Sequence, residues 1–299
     1  MTGRAALDGF AVDLGGTKLA AARIAGGEIA ERLLTPTEPA AGPEAQVAAM
    51  GALLARLGYR RDAPLGVAVA GRIDGVGRWH AVNAGTLPTI AGFALADAAA
   101  RAIGPATCLN DAAAAALAEA RHGAGRGADG FAYLTVSTGV GGGLVFGGRL
   151  LRSESGLAGH VGFVTGPHAA GPCGSGRSDT VEGVASGRAI AAAAQAAGHP
   201  VDARAVFEAA AAGEGWAGAI VERSARAVAT LIGDLTAILG LDAVALGGGI
   251  GLAPGYLGRV RAALDAEPAL FRPRLVAAAL GHDAPLIGAL AAHLDRSRP

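Results

Sequence analysis

A segment close to the N-terminus carries the chemical groups that a phosphate-binding site needs. Residues 13–18 read Asp-Leu-Gly-Gly-Thr-Lys, which brings together a carboxylate, two glycines, a hydroxyl and an ammonium group. Apolar runs on both sides predict a strand, a turn and a second strand, so these glycines do not open a helix as they do in a Rossmann or Walker loop. Backbone N–H groups at such a hairpin can approach an anion closely, and the carboxylate could hold a metal ion through water. The alternative is that the two glycines simply form a hairpin turn. The predicted binding residues are Asp13, Gly15, Gly16, Thr17 and Lys18.

Lys18 is the only lysine in the chain, because 24 of the 25 basic residues are arginines. Lysine acts on phosphate as a compact point charge, whereas the guanidinium of arginine is a planar fork. Position 18 is therefore predicted to need an ammonium group. A coding bias toward arginine that left a single lysine would give the same count.

Two further glycine-rich segments occur later in the chain. Residues 137–143 read Ser-Thr-Gly-Val-Gly-Gly-Gly and lie between two apolar runs, in a place equivalent to the first turn. Residues 247–249 are three glycines between a predicted strand and a predicted helix, where a nucleoside could lie against bare backbone. Three such turns predict a nucleotide held across a cleft more readily than three unrelated structural turns. The additional residues predicted to contact it are Ser137, Thr138, Gly139, Gly141, Gly142, Gly247, Gly248 and Gly249.

Asp111 is the candidate general base. It follows Asn110 at the junction between a short predicted strand and an alanine-rich predicted helix. An aspartate in this place is commonly a helix cap that contributes about 1 kcal/mol. Its functional alternative is to accept the proton of an attacking hydroxyl while Asn110 fixes the same substrate. Phosphoryl transfer needs a phosphate cradle, a divalent cation and a carboxylate beside the nucleophile, and the sequence supplies that set.

The composition predicts a folded chain with no preference for polyanions. The 299 residues include 25 basic and 25 acidic side chains, so the formal net charge is zero, and no basic run predicts nucleic-acid binding. Hydrophobic residues make up 52% and charged residues 17%, which is enough apolar material for a substantial core. No apolar run reaches the roughly 18 residues of a membrane span, the N-terminus lacks an export signal, and two cysteines make no disulfide framework. We expect a cytoplasmic protein that binds neither nucleic acid nor membrane.

The elements that must position these residues occur in two similar sets. A three-stranded meander near the N-terminus is followed by helices and buried strands, and a second, more helical set repeats the pattern. This predicts an α/β architecture of two lobes, each with a mixed β-sheet flanked by helices and with a cleft between them. The predicted strands are 10–14, 18–25, 28–34, 65–70, 107–109, 131–136, 143–146 and 244–246, and the predicted helices are 43–57, 93–103, 110–121, 187–197, 203–211, 217–239 and 286–294.

Taken together, the motifs resemble a known family. The segment Asp-Leu-Gly-Gly-Thr-Lys, the Leu-Asn-Asp-Ala of residues 109–112, the glycine-rich turn of 137–143, Gly-His at 159–160 and Val-Glu-Gly-Val-Ala-Ser-Gly at 181–187 follow the order found in one group of sugar kinases. These are the sugar kinases of the ROK family, which groups bacterial repressors, open reading frames and kinases. The resemblance runs from residue 10 almost to the end of the chain.

The resemblance implies a fold and a division into lobes. The fold would be the actin-like/hexokinase-like ATPase fold. Residues 1–109, together with a C-terminal helix at 285–299, would form a small N-terminal lobe, and residues 110–284 would form a large C-terminal lobe. Closure of the lobes over the sugar would exclude water and so prevent hydrolysis of ATP.

The resemblance also implies an activity, namely Mg²⁺-dependent transfer of phosphate from ATP to the 6-hydroxyl of a sugar. Segments 156–160, 185–188, 223–226 and 282–283 are most similar to family members that act on N-acetylmannosamine, in amino-sugar and sialic acid catabolism. In the roles that this implies, Asp111 is the base, while Asn110, Glu182 and His160 bind the sugar ring and Gly71, Arg72 and Thr86 line its N-acetyl side. The first two glycine turns would hold the phosphates of ATP, and residues 247–249 would lie near the adenosine.

One departure from the family pattern concerns the sugar. Many members have a sugar-binding glutamate three residues before the histidine, whereas this chain has Leu157 there, as the N-acetylmannosamine-specific members also do. Loss of one hydroxyl contact suits a 2-acetamido sugar of altered stereochemistry.

A second departure concerns a metal. The family usually binds a structural zinc ion with that histidine and three cysteines in a Cys-Gly-Cys-Gly-x-x-Gly-Cys pattern. Here residues 173–180 read Cys-Gly-Ser-Gly-Arg-Ser-Asp-Thr, so only Cys173 remains and hydroxyls occupy the other two positions. Neutral hydroxyls are poor zinc ligands compared with thiolates, so no structural zinc is expected and His160 and Cys173 would be remnants of the site. The alternatives are a makeshift site that also uses His168 or Asp179, and a His160 that merely fills a polar niche.

Other readings of the sequence belong to the same family. A glucokinase or an N-acetylglucosamine kinase would differ in the preferred sugar. A repressor would need an N-terminal DNA-binding domain, for which the first predicted strand near residue 10 leaves no room, and a non-catalytic sugar-binding protein would have no need for Asp111 and both phosphate turns. The expected ligands are therefore a small sugar, ATP and Mg²⁺. Because relatives are often dimers, a homodimer is the assembly that the resemblance implies.

Overall fold

The computed structural model describes residues 7–83, 85–166 and 171–296, which form two compact units. The first unit comprises the described parts of Met1–Ala118, Leu150–Ala158 and His282–Pro299. The second unit comprises those of Glu119–Arg149 and Gly159–Gly281. In the described residues, no helix is long and apolar enough to cross a membrane.

Strands and helices account for most of the described chain. The strands are β1 (Gly9–Leu14), β2 (Lys18–Ala25), β3 (Glu28–Pro36), β4 (Leu65–Val69), β5 (Arg72–Ile73), β6 (Trp79–His80), β7 (Ala91–Phe93), β8 (Thr107–Asn110), β9 (Gly130–Val136), β10 (Val140–Phe146), β11 (Arg149–Leu150), β12 (Ala243–Gly247) and β13 (Arg274–Ala277). The helices are α1 (Pro43–Arg56), α2 (Leu95–Ala102), α3 (Asp111–His122), α4 (Glu182–Ala185), α5 (Gly187–Ala196), α6 (Ala203–Ala211), α7 (Gly215–Leu239), α8 (Gly248–Gly251), α9 (Tyr256–Leu264) and α10 (Ala284–Arg296). Short 3₁₀ helices span Val161–Phe163, Ala269–Phe271 and Gly281–Asp283.

Local sequence signals explain where several helices begin and end. Pro43 stands in the first turn of α1, where its missing N–H costs nothing. The side chains of Ser186 and Asp202 cap α5 and α6 by accepting hydrogen bonds from the backbone of the first turn. Gly240 ends α7 in the left-handed conformation, with φ 62°.

The first unit is built on a mixed sheet with the strand order β3-β2-β1-β4-β8. β1 pairs antiparallel with β2 across the first glycine turn, and it pairs parallel with β4, which pairs parallel with β8. All five residues of β4 are buried, as expected for a central parallel strand that is covered on both faces. A smaller sheet of β5, β6 and β7 lies in the same unit.

The second unit repeats this arrangement with the order β11-β10-β9-β12-β13. β9 pairs antiparallel with β10 and parallel with β12, which pairs parallel with β13. Its core joins the sheet to helices α5, α6, α7 and α9, around fully buried side chains such as Ile190 and Tyr256. The α/β class and the two mixed sheets that the sequence predicts are therefore confirmed.

The division into units differs from the predicted lobe boundary at residue 109. Residues 110–118 and 150–158 belong to the first unit. The physical reason is the packing of α10, which lies against β4, β1 and β8 and also contacts α3 at Gly288. At Gly288 the backbone of α10 approaches the backbone of Ala114 so closely that no Cβ would fit. The start of α3 is thereby part of the first core, together with Leu109 and Leu117.

Candidate active site

The first glycine turn is a hairpin, as predicted, and it joins Leu14 at the end of β1 to Lys18 at the start of β2. The N–H of Gly15 donates to the carbonyl of Lys18 over 2.9 Å and closes the turn. Thr17 and Lys18 are exposed, so their hydroxyl and ammonium groups are available to a ligand. Buried Thr37 fixes the turn from the side, because its Oγ1 donates to the carbonyl of Gly15 (2.9 Å) and its N–H donates to the carbonyl of Thr17 (3.1 Å).

Asp13 and Asp111 are two partly buried residues of the first unit, and each carries a carboxyl group. Asp13 lies in β1, opposite Ala68 of β4, and its Oδ1 has no hydrogen-bond partner among the described residues. Burial, with a smaller contribution from the negative charge of Asp111, raises the pKa of Asp13 to about 8. Burial raises the pKa of Asp111 to about 6, although the N–H of Ala112 and the side chain of Asn110 act in the opposite direction. At neutral pH Asp111 is therefore mostly ionised, while Asp13 is mostly protonated.

Asn110 orients Asp111 at the start of α3. Its Nδ2 donates to Asp111 Oδ1 over 2.8 Å and to the carbonyl of Gly71 over 2.7 Å. Its Oδ1 accepts a hydrogen bond from the N–H of Ala113, three residues on, at 3.0 Å. This last bond is the capping interaction, so Asn110 caps the helix with its side chain. The Asp111 side chain is held instead by Asn110 and by the N–H of Ala112 at 2.8 Å.

The residues expected on the N-acetyl side of the sugar also lie in the first unit. Arg72 in β5 donates from its guanidinium to the carbonyl of Ser155 over 2.5 Å, so it ties the segment 150–158 to the small sheet. Thr86 packs on the first glycine turn, because a Cβ on Gly16 would lie 2.5 Å from its Cγ2. Next to Gly71, the carbonyl of Ala70 accepts a hydrogen bond of 2.8 Å from the indole N–H of buried Trp79.

The second glycine-rich segment differs from the prediction. The turn is confined to Ser137–Gly139, where the N–H of Ser137 donates to the carbonyl of Gly139 over 2.9 Å. Gly141 and Gly142 are part of strand β10, so their predicted place in the turn is wrong. The reason is close backbone packing, because a Cβ on Gly142 would lie 2.8 Å from the carbonyl oxygen of Tyr133 and 3.2 Å from that of Gly159. Thr138 is exposed at the tip of the turn.

The third glycine segment has the predicted strand-to-helix context. Gly247 ends β12 opposite Thr135 of β9, and Gly248 and Gly249 begin the short helix α8. Gly249 is exposed, and a Cβ there would come no closer than 4.0 Å to Ser137 Oγ. The backbone at Gly249 and the Ser137 side chain therefore border the same part of the second unit.

Glu182 is the first residue of α4 and is buried. Its Oε2 accepts a hydrogen bond of 3.0 Å from the N–H of Val140, directly after the second turn. The helix is fixed at both ends, because Thr180 Oγ1 accepts from the N–H of Gly183 at 3.2 Å and Ser224 Oγ donates to the carbonyl of Ala185 at 3.3 Å.

The loop that carries the expected zinc remnants is held by protein contacts. The imidazole of His160 stacks on Phe163, with ring centroids 6.2 Å apart. Cys173 Sγ lies 3.0 Å from Ser175 Oγ, and Thr180 is fully buried beside α4. Within the part of the chain that the structure describes, no three His, Cys, Asp or Glu side chains form a group that could hold a metal ion. His168 lies outside the described residues.

The structure thus assigns the predicted site residues to the two units. It also shows three supporting residues that sequence reasoning missed. Thr37 fixes the first turn, Trp79 fixes the Ala70 carbonyl, and Ser224 fixes α4, each through a hydrogen bond to a residue elsewhere in the sequence. Each of them has a side chain that can donate a hydrogen bond, and this was the only signal in the sequence. The sequence does not show which such side chains are buried. The first unit contains Asp13, Gly15, Gly16, Thr17, Lys18, Gly71, Arg72, Thr86, Asn110 and Asp111, and the second contains Ser137, Thr138, Gly139, Gly141, Gly142, His160, Cys173, Glu182, Gly247, Gly248 and Gly249.

Paired mixed sheets with a carboxylate at a strand end and glycine turns in both units define a hexokinase-like protein, and comparison with known families agrees. The chain belongs to the ROK family, whose family model matches residues 9–296. A crystal structure of a ROK family glucokinase from Streptomyces griseus, in complex with glucose and AMPPNP, matches 95% of this chain and 98% of its own with a TM-score of 0.79 and 28% identity.

Two curated relatives have a higher sequence identity to this chain than the glucokinase has. The N-acetylmannosamine kinase of Shigella boydii serotype 18 is 44% identical over 284 residues, which cover 94% of this chain and 96% of that protein. The bifunctional enzyme NanE/NanK of Brucella melitensis biotype 1 is 44% identical over 282 residues, which cover 93% of this chain but 52% of the relative. The chain therefore spans about half the length of the bifunctional relative and nearly all of the kinase.

Proposed function

We propose that this chain is a kinase that transfers the γ-phosphoryl group of ATP to the 6-hydroxyl of N-acetylmannosamine. The observation that carries the proposal is Asp111, a partly buried carboxylate that Asn110 holds at a strand end, in a chain that is 44% identical to an N-acetylmannosamine kinase over 94% of its length. The sequence identity supports the choice of sugar, and the Asp111 carboxylate would accept the proton of the sugar hydroxyl.

In this mechanism Asp111 accepts the proton of the 6-hydroxyl as its oxygen attacks the γ-phosphorus. The bond between the γ-phosphorus and the β,γ-bridging oxygen breaks, and ADP is the leaving group. A general base works best when its pKa lies near the operating pH, and burial raises the pKa of Asp111 to about 6. The carboxylate is thus ionised at neutral pH and remains basic enough to receive the proton. Asn110 keeps it in one orientation, which matters because little else in phosphoryl transfer is covalent and most of the rate comes from positioning.

Mg²⁺ and ATP are the groups that this chemistry requires, and Asp13 fits the cation. Asp13 Oδ1 is buried without a hydrogen-bond partner among the described residues, so it would accept a bond from a cation or from a cation-bound water. The raised pKa of Asp13 means that it would give up its proton when the cation binds. Mg²⁺ held at Asp13 would supply charge neutralisation to the phosphates, and Lys18 would add a positive charge in the first turn.

The nucleotide would bind to the glycine turns. In the first unit, Gly15, Gly16 and Thr17 would hold phosphate. In the second unit, Ser137, Thr138 and Gly139 would do the same, with Gly249 near the adenosine. The exposure of Thr17, Lys18, Thr138 and Gly249 supports this assignment.

The residues proposed to bind the sugar rest on the family resemblance. Asn110 and Arg72 are proposed from the first unit, and Glu182 and His160 from the second. A ROK glucokinase is also similar to this chain, at 28% identity, so another hexose is the competing substrate.

The test is ADP release by the purified protein across a panel of hexoses and 2-acetamido hexoses. We expect the highest kcat/KM with N-acetylmannosamine and a lower value with its epimer N-acetylglucosamine. A strong preference for glucose would reject the proposed substrate, and the absence of turnover with every sugar would reject the kinase itself. The Asp111→Asn variant serves as the background control.

The proposal includes a homodimer in the cytoplasm, which rests on the family resemblance. Light scattering after size exclusion measures the assembly, and a mass near twice the 29.1 kDa of the chain is expected. A single-chain mass at micromolar concentration would contradict it.

A further inference from the structure

Glu182 lies directly against the second phosphate turn, although it is proposed to bind the sugar. Its Oε2 accepts the hydrogen bond of Val140 N–H at 3.0 Å, on one side of Gly139. On the other side, the N–H of Gly187 donates to the carbonyl of Ser137 over 2.7 Å. The segment 182–187 is therefore attached to the turn at two points.

At Gly139, between these two points, the turn has no side chain. A Cβ on Gly139 would lie 2.6 Å from Glu182 Oε2, so only glycine allows the carboxylate to approach the turn this closely. The position of the turn backbone and the position of the Glu182 carboxylate are consequently linked by direct contact.

The second oxygen of the carboxylate has no such contact. Glu182 is 6% exposed, and its Oε1 is buried with no hydrogen-bond partner among the described residues. A buried carboxylate oxygen without a donor is costly, so it favours a ligand that brings one. A sugar hydroxyl is such a donor.

The helix that carries Glu182 is held firmly. Thr180 Oγ1 binds its first turn, and Ser224 Oγ binds its last carbonyl while also lying 2.6 Å from the hydroxyl of buried Tyr256. Because the backbone of α4 is fixed, movement of the carboxylate is confined to the side chain of Glu182. That side chain contacts the turn.

We propose that Glu182 couples sugar binding to nucleotide binding, because one carboxylate oxygen binds a sugar hydroxyl while the other holds the phosphate turn through Val140 N–H. This inference rests on the proposed function and assigns a second, positioning role to one of its sugar-binding residues. When a sugar hydroxyl donates a hydrogen bond to Oε1, the Glu182 carboxylate is held in one position. Its Oε2 then keeps the second turn in the conformation that binds ATP. Bound sugar raises the affinity for nucleotide, and bound nucleotide raises the affinity for sugar by the same factor.

The experiment is calorimetric titration of the full chain with Mg·AMPPNP, with and without saturating sugar. The sugar is the one with the highest kcat/KM in the turnover panel, so a wrong choice of hexose is detected separately. For the wild type we expect sugar to tighten nucleotide binding about 10-fold, within the range usual for coupled sites. If Glu182 has a purely structural role, substituting it in protein that remains folded should leave this ratio unchanged.

Two variants test the contact from opposite sides. Glu182→Asp keeps the charge but is one methylene shorter, so it cannot reach both partners. Gly139→Ala leaves Glu182 intact and displaces the carboxylate from the turn. We expect both variants to reduce the coupling to about twofold or less, with thermal unfolding and circular dichroism used to confirm that they fold.

Arg72→Ala is the matched control. Its hydrogen-bond partner is the Ser155 carbonyl of the first unit, so it should weaken sugar binding and leave the coupling ratio unchanged. The inference is overturned if folded Glu182→Asp and Gly139→Ala retain the wild-type ratio. It is also overturned if the wild type phosphorylates the sugar and shows no coupling, a result that leaves the proposed function standing.

Discussion

The two units share one sheet topology and differ in the side chains at the ends of their strands. Both sheets have a meander followed by two parallel strands, in the orders β3-β2-β1-β4-β8 and β11-β10-β9-β12-β13. In the first unit β1 carries Asp13 near its end, and β8 leads into Asp111. In the second unit β9 is followed by Ser137, and β12 leads into Gly248.

Under the proposed function, both units would hold phosphate, and each would add a different chemistry to the same scaffold. Two partly buried carboxyl groups with raised pKa values suit proton transfer and cation binding, and both lie in the first unit. Bare backbone suits a flat nucleoside, and the second unit supplies it at the start of α8. The shared topology sets where a loop emerges, while the residue at that point sets what the loop does.

The largest effect is expected from removing the proposed general base of the first unit. Asp111→Asn keeps the shape of the side chain but cannot accept the proton, so we expect kcat to fall about 10³-fold, within the usual contribution of a general base. Sugar affinity should stay within about threefold, because an amide still forms hydrogen bonds. Steady-state kinetics and sugar titration measure the two quantities.

A suitable control for that change is Asp62→Asn. Asp62 is an exposed residue of the same unit, with its side chain 82% exposed, and it should leave kcat unaltered. An Asp111→Asn enzyme with normal kcat would remove Asp111 as the base.

The pH dependence of kcat/KM tests the same carboxylate without a mutation. Burial raises the pKa of Asp111 in the free protein to about 6, and the base acts only when it is ionised. As pH falls through 6 the ionised fraction decreases, so kcat/KM, which reports ionisation of the free enzyme, should drop, approaching tenfold per pH unit on the acidic limb. A flat profile down to pH 4.5, in protein that remains folded, would contradict this assignment.

The first phosphate turn is tested by exchanging its lysine. In Lys18→Arg a planar guanidinium replaces a compact ammonium, and we expect KM for ATP to rise about 10-fold, a loss of about 1.4 kcal/mol. Arg23→Lys, an exposed basic residue on the same strand β2, is the matched control and should leave KM unaltered. Equal KM values in wild type and Lys18→Arg would indicate that the single lysine reflects coding bias.

The smallest effect is expected at the loop of the second unit that carries Cys173. Hydroxyl side chains replace the thiolates there, so metal analysis of purified protein should find no stoichiometric zinc, and EDTA should leave Tm unchanged. One zinc per chain, or a fall in Tm on chelation, would contradict the expected absence of zinc from this loop.

The sequence predicted most of the elements because their signals are local. Alternating apolar residues on both sides of a Gly-Gly pair give a hairpin at 15–18, and the prolines, caps and glycines at helix ends mark α1, α5, α6 and α7. The errors fall where tertiary contacts decide. The predicted helix from 93 begins at Leu95 after strand β7, because Phe93 pairs with Trp79 of β6.

In the candidate site, too, the predictions from sequence were wrong where tertiary contacts decide the structure. Gly141 and Gly142 read as a turn in the sequence, yet they form a strand because Gly142 packs against the backbone of Tyr133 and Gly159. Asp111 reads as a helix cap, yet Asn110 provides the capping oxygen. In both cases the competing partner is distant in the sequence or chosen by side-chain orientation, which spacing does not encode.

The amino-acid sequence by itself determined the motifs, their order and the family, because glycines, a lone lysine and an Asn-Asp pair are visible without coordinates. Tertiary structure alone decided which polar groups are buried and which are paired. It showed that Asp13 and Asp111 have raised pKa values, that Thr37 fixes the first turn, and that Glu182 contacts the second. The physical reason is that desolvation and hydrogen bonding depend on neighbours brought together by folding, and no spacing along the chain specifies those neighbours.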